Sequence, residues 1–205
     1  MKIEVSIGEA IDKLSILEIK MKKIEEENKK IEIQKEINVL QDCEAYKSKN
    51  EFYYNLLLYV NEKIWDMTNI IKSITIDDPQ FSHISNQIFE FNQKRFRIKN
   101  WFNLLNDSNI KEQKSYACTH CKILVDNENV FFNKLTEVNY LSLEYDVLTF
   151  ESPFISTIQD FLKIPTVIYD EEKIKLLNNP FIICLSEFCI PEQEYNDVFS
   201  KTNKI

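Results

Sequence analysis

Three groups of residues in this chain could do chemistry. In the stripe Ile84, Ile88, Phe91, Arg95, Ile98, Phe102 and Leu105, a guanidinium stands where helical spacing calls for a hydrophobe. An unpaired charge is too costly to bury, so Arg95 needs an acidic partner or a bound anion. Asp12 and Glu18, in the first apolar-periodic segment, are the natural acids, and Lys94, Arg97 and Lys99 add positive charge interleaved with Phe96 and Trp101. Two outcomes stay open: a structural ion pair with its neighbours solvated, or a small anion held between helices. The second group is Ser152-Pro153, which reads as an N-cap followed by a first-turn proline, with Ser156 and Thr157 just behind and Glu151 just ahead. Free backbone amides and hydroxyls would then converge near the carboxyl end of a strand, where a phosphate binds in α/β sheets. An ordinary N-cap with no ligand is the competing account. The third group is Cys118-Thr119-His120-Cys121, whose C-x-x-C spacing suits a zinc site or a redox pair.

The supporting signals for that third group are absent. A zinc ribbon would show a second closely spaced pair with turn glycines, whereas Cys184 and Cys189 sit in the apolar run from Phe181 to Ile190, which reads as core. A thioredoxin-like motif would open a helix, and this one precedes a strand. No metal and no cofactor are therefore expected, with Cys118 and Cys121 the weak candidates. His83 stands alone at a helix start, and Asp126, Glu151 and Asp170 lie near predicted strand ends, where catalytic or metal-binding carboxylates often sit, although such residues are more often plain polar loop residues.

The elements that must position these groups follow from periodicity. A short extended piece, Lys2 to Val5, leads into Ser6-Ile7-Gly8-Glu9, a capping box with Ser6 as N-cap. Ile7, Ala10, Ile11, Leu14, Leu17, Met21 and Ile24 recur at helical spacing, and no Pro or Gly stops the pattern before Ile31 and Leu40. The polar stretch from Glu25 to Lys30 is either a solvated face or a short break. A second helix is predicted over 51–74, ended by Asp77-Asp78-Pro79, and a third over 81–105, closed by Asn106-Asp107-Ser108. Together they make an antiparallel three-helix bundle. From Lys122 the character changes. Ile123 to Val125, Val130 to Phe132, Asp146 to Phe150 and Thr166 to Tyr169 read as strands, with helices over 134–144 and 153–162 between them. That order implies a small parallel sheet with right-handed crossovers.

Composition narrows the functional classes. A single glycine in 205 residues, Gly8, rules out a P-loop or a dinucleotide fingerprint, both of which need several. A formal net charge of -8 argues against a general nucleic-acid binder. No apolar run approaches the ~20 residues of a membrane span, and the first residues alternate charge with apolar groups, unlike a signal peptide. A cytoplasmic protein is predicted, and its five cysteines are then reduced thiols.

Two resemblances add to this reading. V-S-I-G-E-A-I-D-K-L-S-I-L-E-I-K, V-N-E-K-I-W and N-Q-K-R-F-R-I-K-N-W-F-N-L-L-N-D-S-N-I-K-E-Q-K-S-Y resemble, in order, the motifs of an uncharacterised helical domain of unknown function, over about residues 1–116. Bacterial members of that family are associated with cell-surface carbohydrate assembly. The resemblance implies interest in Glu9, Asp12, Lys13, Glu18, Lys20, Asn92, Arg95, Lys99, Glu112, Lys114 and Tyr116. This chain departs from the pattern at Gln93-Lys94 and Gln113, where the family has acids. The run Y-D-V-L-T-F-E-S-P-F-I-S-T-I-Q-D-F-L-K-I-P-T-V-I-Y-D resembles the donor-binding half of two-domain, sugar-nucleotide-dependent glycosyltransferases, over about residues 122–175. It lacks the glycine usual before that proline, having Lys163-Ile164, and the second half is short for a complete enzyme of that type. A charged helical bundle is also similar to the all-helical chorismate mutases, though their spaced motifs are not reproduced.

The expectation is an α+β chain: a helical bundle over 1–116 and a small α/β, glycosyltransferase-like domain over 117–205. Its expected role is in carbohydrate or surface-polysaccharide biosynthesis, binding a nucleotide sugar or phosphate through Glu151, Ser152, Ser156 and Thr157. Arg95, Lys99, Glu18 and Asp12 form the charged site of the bundle. Any catalysis would be a glycosyltransferase-related transfer. The alternatives are a non-catalytic adaptor that recruits a protein partner or a second copy, and a chorismate-mutase-like enzyme. Neither a nucleic-acid partner nor a membrane span is expected.

Overall fold

The computed structural model describes residues 3–110, 112, 118–162, 164–175, 177 and 180–191. It is an α+β protein with two compact units, Met1–Glu112 and Gln113–Ile205. The first unit holds α1 (Ile7–Lys23), α2 (Glu27–Val39), α3 (Cys43–Lys49), α4 (Glu51–Ser73) and α5 (Phe81–Leu105). Helix α1 starts as its sequence dictates: Ser6 is extended and its Oγ accepts from Glu9 N at 3.1 Å. It stops sooner than the unbroken apolar spacing predicts. Ile24 is extended and the chain reverses over 24–26, so α2 returns along α1 with Ile33 buried and Lys13 paired to Glu36 at 2.6 Å. The polar stretch is thus a break, and what enforces it is the return packing of α2 rather than any helix-breaking residue.

This break sets the direction of everything after it. Ile7, Gly8 and Asp12 meet Ser108, Asn103 and Arg95 respectively, so α1 and α5 run antiparallel. Tyr53 meets Trp101 and Tyr59 meets Phe91, which makes α4 and α5 antiparallel as well. Helices α1 and α4 therefore run the same way, a difference from the simple up-down-up order. Ile11, Leu14 and Leu17 from α1, Leu56, Leu57 and Val60 from α4, and Ile98, Trp101 and Phe102 from α5 fill the core. A turn through Asp78, whose Oδ1 accepts from Gln80 N at 2.8 Å, joins α4 to α5.

The second unit contains β1 (His120–Leu124), α6 (Glu128–Asn133), α7 (Leu135–Glu144), β2 (Val147–Glu151), α8 (Ile155–Phe161), α9 (Glu171–Lys175) and β3 (Phe181–Cys184). The sheet is parallel in the order β2-β1-β3, with Ile123 opposite Phe150 and Ile183. Cys121, Ile123, Phe131, Leu141, Leu148, Ile158 and Leu185 are fully buried in its core.

Three expectations change here. Val130-Phe131-Phe132 lies in helix α6, because Asn127 Oδ1 accepts from Asn129 N and Val130 N and starts a turn that drives Phe131 into the core. Among the described residues, Thr166 to Tyr169 contributes only a parallel bridge, Leu148 to Val167. The third strand is instead Phe181–Cys184, where Phe181 and Ile182 are exposed and only Ile183 is buried, so the apolar run there is not wholly core. No helix among the described residues is long and apolar enough to cross a membrane.

Candidate functional site

The charged stripe position on α5 resolves into a buried polar centre. Arg95 Nε and Nη2 donate to Asp12 Oδ1 and Oδ2 at 2.8 and 2.5 Å, a side-on bidentate pair. Asp12 is only 3% exposed, and Asn61 of α4, 5% exposed, donates through Nδ2 to Asp12 Oδ1 at 2.9 Å and to Ser15 Oγ at 2.7 Å. Ser15 Oγ in turn donates to Asp12 O at 2.8 Å. Three helices thus meet on one carboxylate. Its hydrogen bonds, together with the charges of Asp12, Glu9 and Glu112, hold the Arg95 guanidinium above its ordinary pKa against the opposing effect of burial.

One turn further along α5, Lys99 pairs with Glu9 and, at 2.7 Å, with Glu112. Burial alone would push the Lys99 ammonium down, but its hydrogen bonds to Glu112 and Glu9 prevail and hold it above the usual lysine value. Glu18, the other acid that sequence places near Arg95, pairs with Lys47 of α3 at 2.8 Å. Lys13 pairs with Glu36, and Asn92 donates to the Ile88 carbonyl one turn back on its own helix. Lys114, Tyr116 and Gln113 lie outside the described residues.

The guanidinium is not sealed in. Its side chain keeps 26% exposure and lines a groove of about 270 Å³ with Ile16 and Ile19 of α1 and Asn61, Ile64, Trp65, Thr68, Asn69 and Lys72 of α4. Of the five N–H donors of an arginine, the side-on pair uses two, so three remain. Lys72 has no ion-pair partner among the described residues. Asn61, Trp65 and Lys72 escaped sequence reasoning. The signal for Asn61 and Trp65 is the motif V-N-E-K-I-W, which contains both.

The α/β turn is built differently from its expectation. Helix α8 begins at Ile155, with Phe154 at the N-cap position and no side-chain cap. Ser152 Oγ accepts from Phe154 N at 3.3 Å, closing a tight turn that takes Ser152 and Pro153 out of the helix start. Ser156 and Thr157 fall in the first turn of the helix, the one exposed and the other half-buried, and Glu151 is drawn to Lys122 at 2.5 Å. Asp170 caps α9 by accepting from Glu172 N and Lys173 N, Asp126 is exposed, and His83 is exposed in the first turn of α5.

The cysteines behave as separate thiols. Cys121 is fully buried on β1, and burial pushes its thiol up to about 12, whereas Cys118 is exposed ahead of the strand. Residues three apart on an extended chain face opposite sides, which separates the two thiols. Among the described residues no group of three or more metal-ligating side chains is present. Native-state alkylation at neutral pH is expected to modify Cys118 and Cys189 quickly, and Cys43 and Cys121 only after unfolding. Mass spectrometry of the labelled peptides checks this, and rapid native modification of Cys121 would contradict it.

No curated protein and no solved structure matches the chain. A family model matches residues 1–137, the whole helical unit together with β1 and α6 and the start of α7. That span carries Asp12, Asn61, Arg95 and Lys99, and the chain belongs to the family of unknown function DUF6165.

Proposed function

We propose that the protein is a binding protein of carbohydrate or surface-polysaccharide assembly, taking an anionic ligand such as a phosphate-bearing one at the Arg95 centre of its helical unit. One observation carries this reading: a guanidinium fixed by Asp12, itself held by Asn61, has three N–H donors outside that pair, keeps a quarter of its surface exposed and lines an open groove. Fixing the fork beforehand lowers the ordering cost of meeting an anion. Binding is favoured over catalysis because each carboxylate of the centre already faces a cation: Asp12 faces Arg95, and Glu9 and Glu112 face Lys99. None is left poised to move a proton. The carbohydrate context rests on the resemblance of the N-terminal motifs. The nucleotide-sugar reading of the α/β half rests on the run from Tyr145 to Asp170 alone, since the turn at Ser152 uses its hydroxyl internally.

The test is a thermal-shift screen against inorganic phosphate, nucleoside diphosphates and nucleotide sugars. Ligand bound to the folded state raises the melting temperature by mass action, by about 2.7 kcal/mol of stabilisation at a hundredfold excess over Kd. A shift is expected in the native chain and in a Ser156→Ala, Thr157→Ala variant, and its loss is expected in Arg95→Lys, which keeps the charge without the fork. A shift abolished by the serine and threonine changes would instead place the ligand at the α/β turn.

A second reading, an adaptor that recruits a protein partner, is favoured by one feature of the α/β unit. Phe132 and Phe161 form an edge-to-face pair at 5.1 Å while remaining 38% and 54% exposed. No thermal shift with any anion would turn the assignment to that reading.

A further inference from the structure

The groove carries more information than the presence of an anion site, and we infer that its ligand is a single hydroxylated ring bearing one phosphate or carboxylate, with a hydroxyl beside the charged group. This inference rests on the reading of the α1–α4 groove as a ligand site and specifies what that site takes.

Both hydrogen bonds of the Asn61 side chain are made by Nδ2, to Asp12 and Ser15, which fixes the amide so that Oδ1 is left as an acceptor. Asn61 is 5% exposed and lines the groove beside Arg95. Arg95 can only donate, and Asn61 Oδ1 can only accept. A bare anion satisfies the first and is repelled by the second, whereas an anion with an adjacent O–H satisfies both. A site that presents an acceptor for a hydroxyl discriminates against ligands lacking one, because such a ligand covers the acceptor and leaves it without a partner.

Size and lining fix the rest of the ligand. A volume of about 270 Å³ lies below the range of drug-sized sites, ~300–1,000 Å³. It suits one ring with its charged group and does not enclose a nucleoside and a sugar together. Trp65 offers an indole face, and the C–H groups of a polyhydroxylated ring, polarised by their oxygens, suit the negative face of an aromatic system. Thr68 and Asn69 supply further hydrogen-bonding groups along α4. Lys72 stands eleven residues beyond Asn61, roughly 16 Å along the helix axis, so it adds a second positive charge at the far end.

The full chain is titrated with glucose 6-phosphate, glucuronate, glucose, cyclohexyl phosphate and cyclohexanecarboxylate, followed by calorimetry and by tryptophan emission. The chain has two tryptophans; Trp101 is buried in the core, so a change in emission that vanishes in Trp65→Phe places the ligand in the groove. Glucose 6-phosphate or glucuronate should bind at least about tenfold more tightly than the ring anion without hydroxyls, the effect of one hydrogen bond made or missed. It should also bind at least about tenfold more tightly than neutral glucose. Tighter binding of either acidic sugar supports the inference and identifies the charged group as phosphate or carboxylate. Lys72→Ala, a change on the exposed end of α4 that leaves the fold intact, should weaken the preferred ligand several-fold. Equal binding of cyclohexyl phosphate and glucose 6-phosphate would overturn the hydroxylated-ring assignment while leaving an anion site in place. Binding seen by calorimetry with Trp65 emission unmoved would overturn both, and so would the absence of binding by every probe together with a negative nucleotide-sugar screen.

Discussion

Asp12→Ala is expected to destabilise the helical unit by about 3 kcal/mol and to abolish anion binding, the largest effect of any single polar substitution in the chain. The carboxylate accepts from Arg95 twice and from Asn61 once, and it is 97% removed from solvent, so alanine leaves a guanidinium and an amide facing a dry hole. Breaking a buried pair from one side costs 3–5 kcal/mol; the lower end applies here because Arg95 keeps some contact with water. The melting temperature should fall by more than about 10 °C for a unit of this size. The double variant Asp12→Leu, Arg95→Met separates structure from function. Replacing both charges with apolar groups is close to neutral for stability, so the melting temperature should largely recover while binding stays lost. Recovery of binding in the double variant would show that the pair serves the fold alone.

The position of Arg95 was legible because periodicity gave a strong expectation for a hydrophobe and the residue violates it. Its partner was not uniquely legible. Asp12 and Glu18 are six residues apart, which puts them about 120° from each other around a helix, so only the rotation of α1 against α5 decides between them. That rotation is fixed by Gly8, Asn103 and Ser108, a contact between residues about a hundred positions apart. The same limit hides the groove. Asn61, Trp65 and Lys72 belong to an ordinary amphipathic pattern on α4, and they become a site only when α1 lies beside them.

Local signals fared according to whether anything competed with them. Ser6 caps α1 because its turn is free to form, although Glu9, which a capping box would fold back, is taken by Lys99. Ser152-Pro153 has the better local sequence, yet the helix begins two residues later because Phe154 is half-buried against the core and the Ser152 hydroxyl closes a turn instead. Val130-Phe131-Phe132 has strand propensity but follows Asn127, and a cap with a buried aromatic outweighs propensity in so short a run. In the last two cases the deciding term is burial, which depends on the rest of the chain.

Gly8→Ala is expected to be nearly as damaging as the loss of Asp12, for a purely steric reason. A Cβ at position 8 would lie 2.3 Å from the Lys99 carbonyl oxygen and 2.9 Å from its carbon. The obstacle is backbone in the middle of α5, so no side chain can rotate away. Its amide also donates to Asn103 Oδ1 at 2.7 Å, which holds the two helices at this separation. Adding a methyl group must push α1 off α5, and overpacking of this kind costs about 3 kcal/mol when the backbone has to move. Alanine's better helix propensity returns only about 1 kcal/mol of that. The displacement also reaches function, because Asp12 sits one turn further along α1 and Arg95 one turn beyond Lys99. Thermal unfolding should show a drop of about 8 °C or more, and the anion-induced shift should shrink even at temperatures where the variant is folded. A variant with native stability and undiminished binding would mean that the close approach of α1 and α5 does not set the geometry of the Arg95 centre.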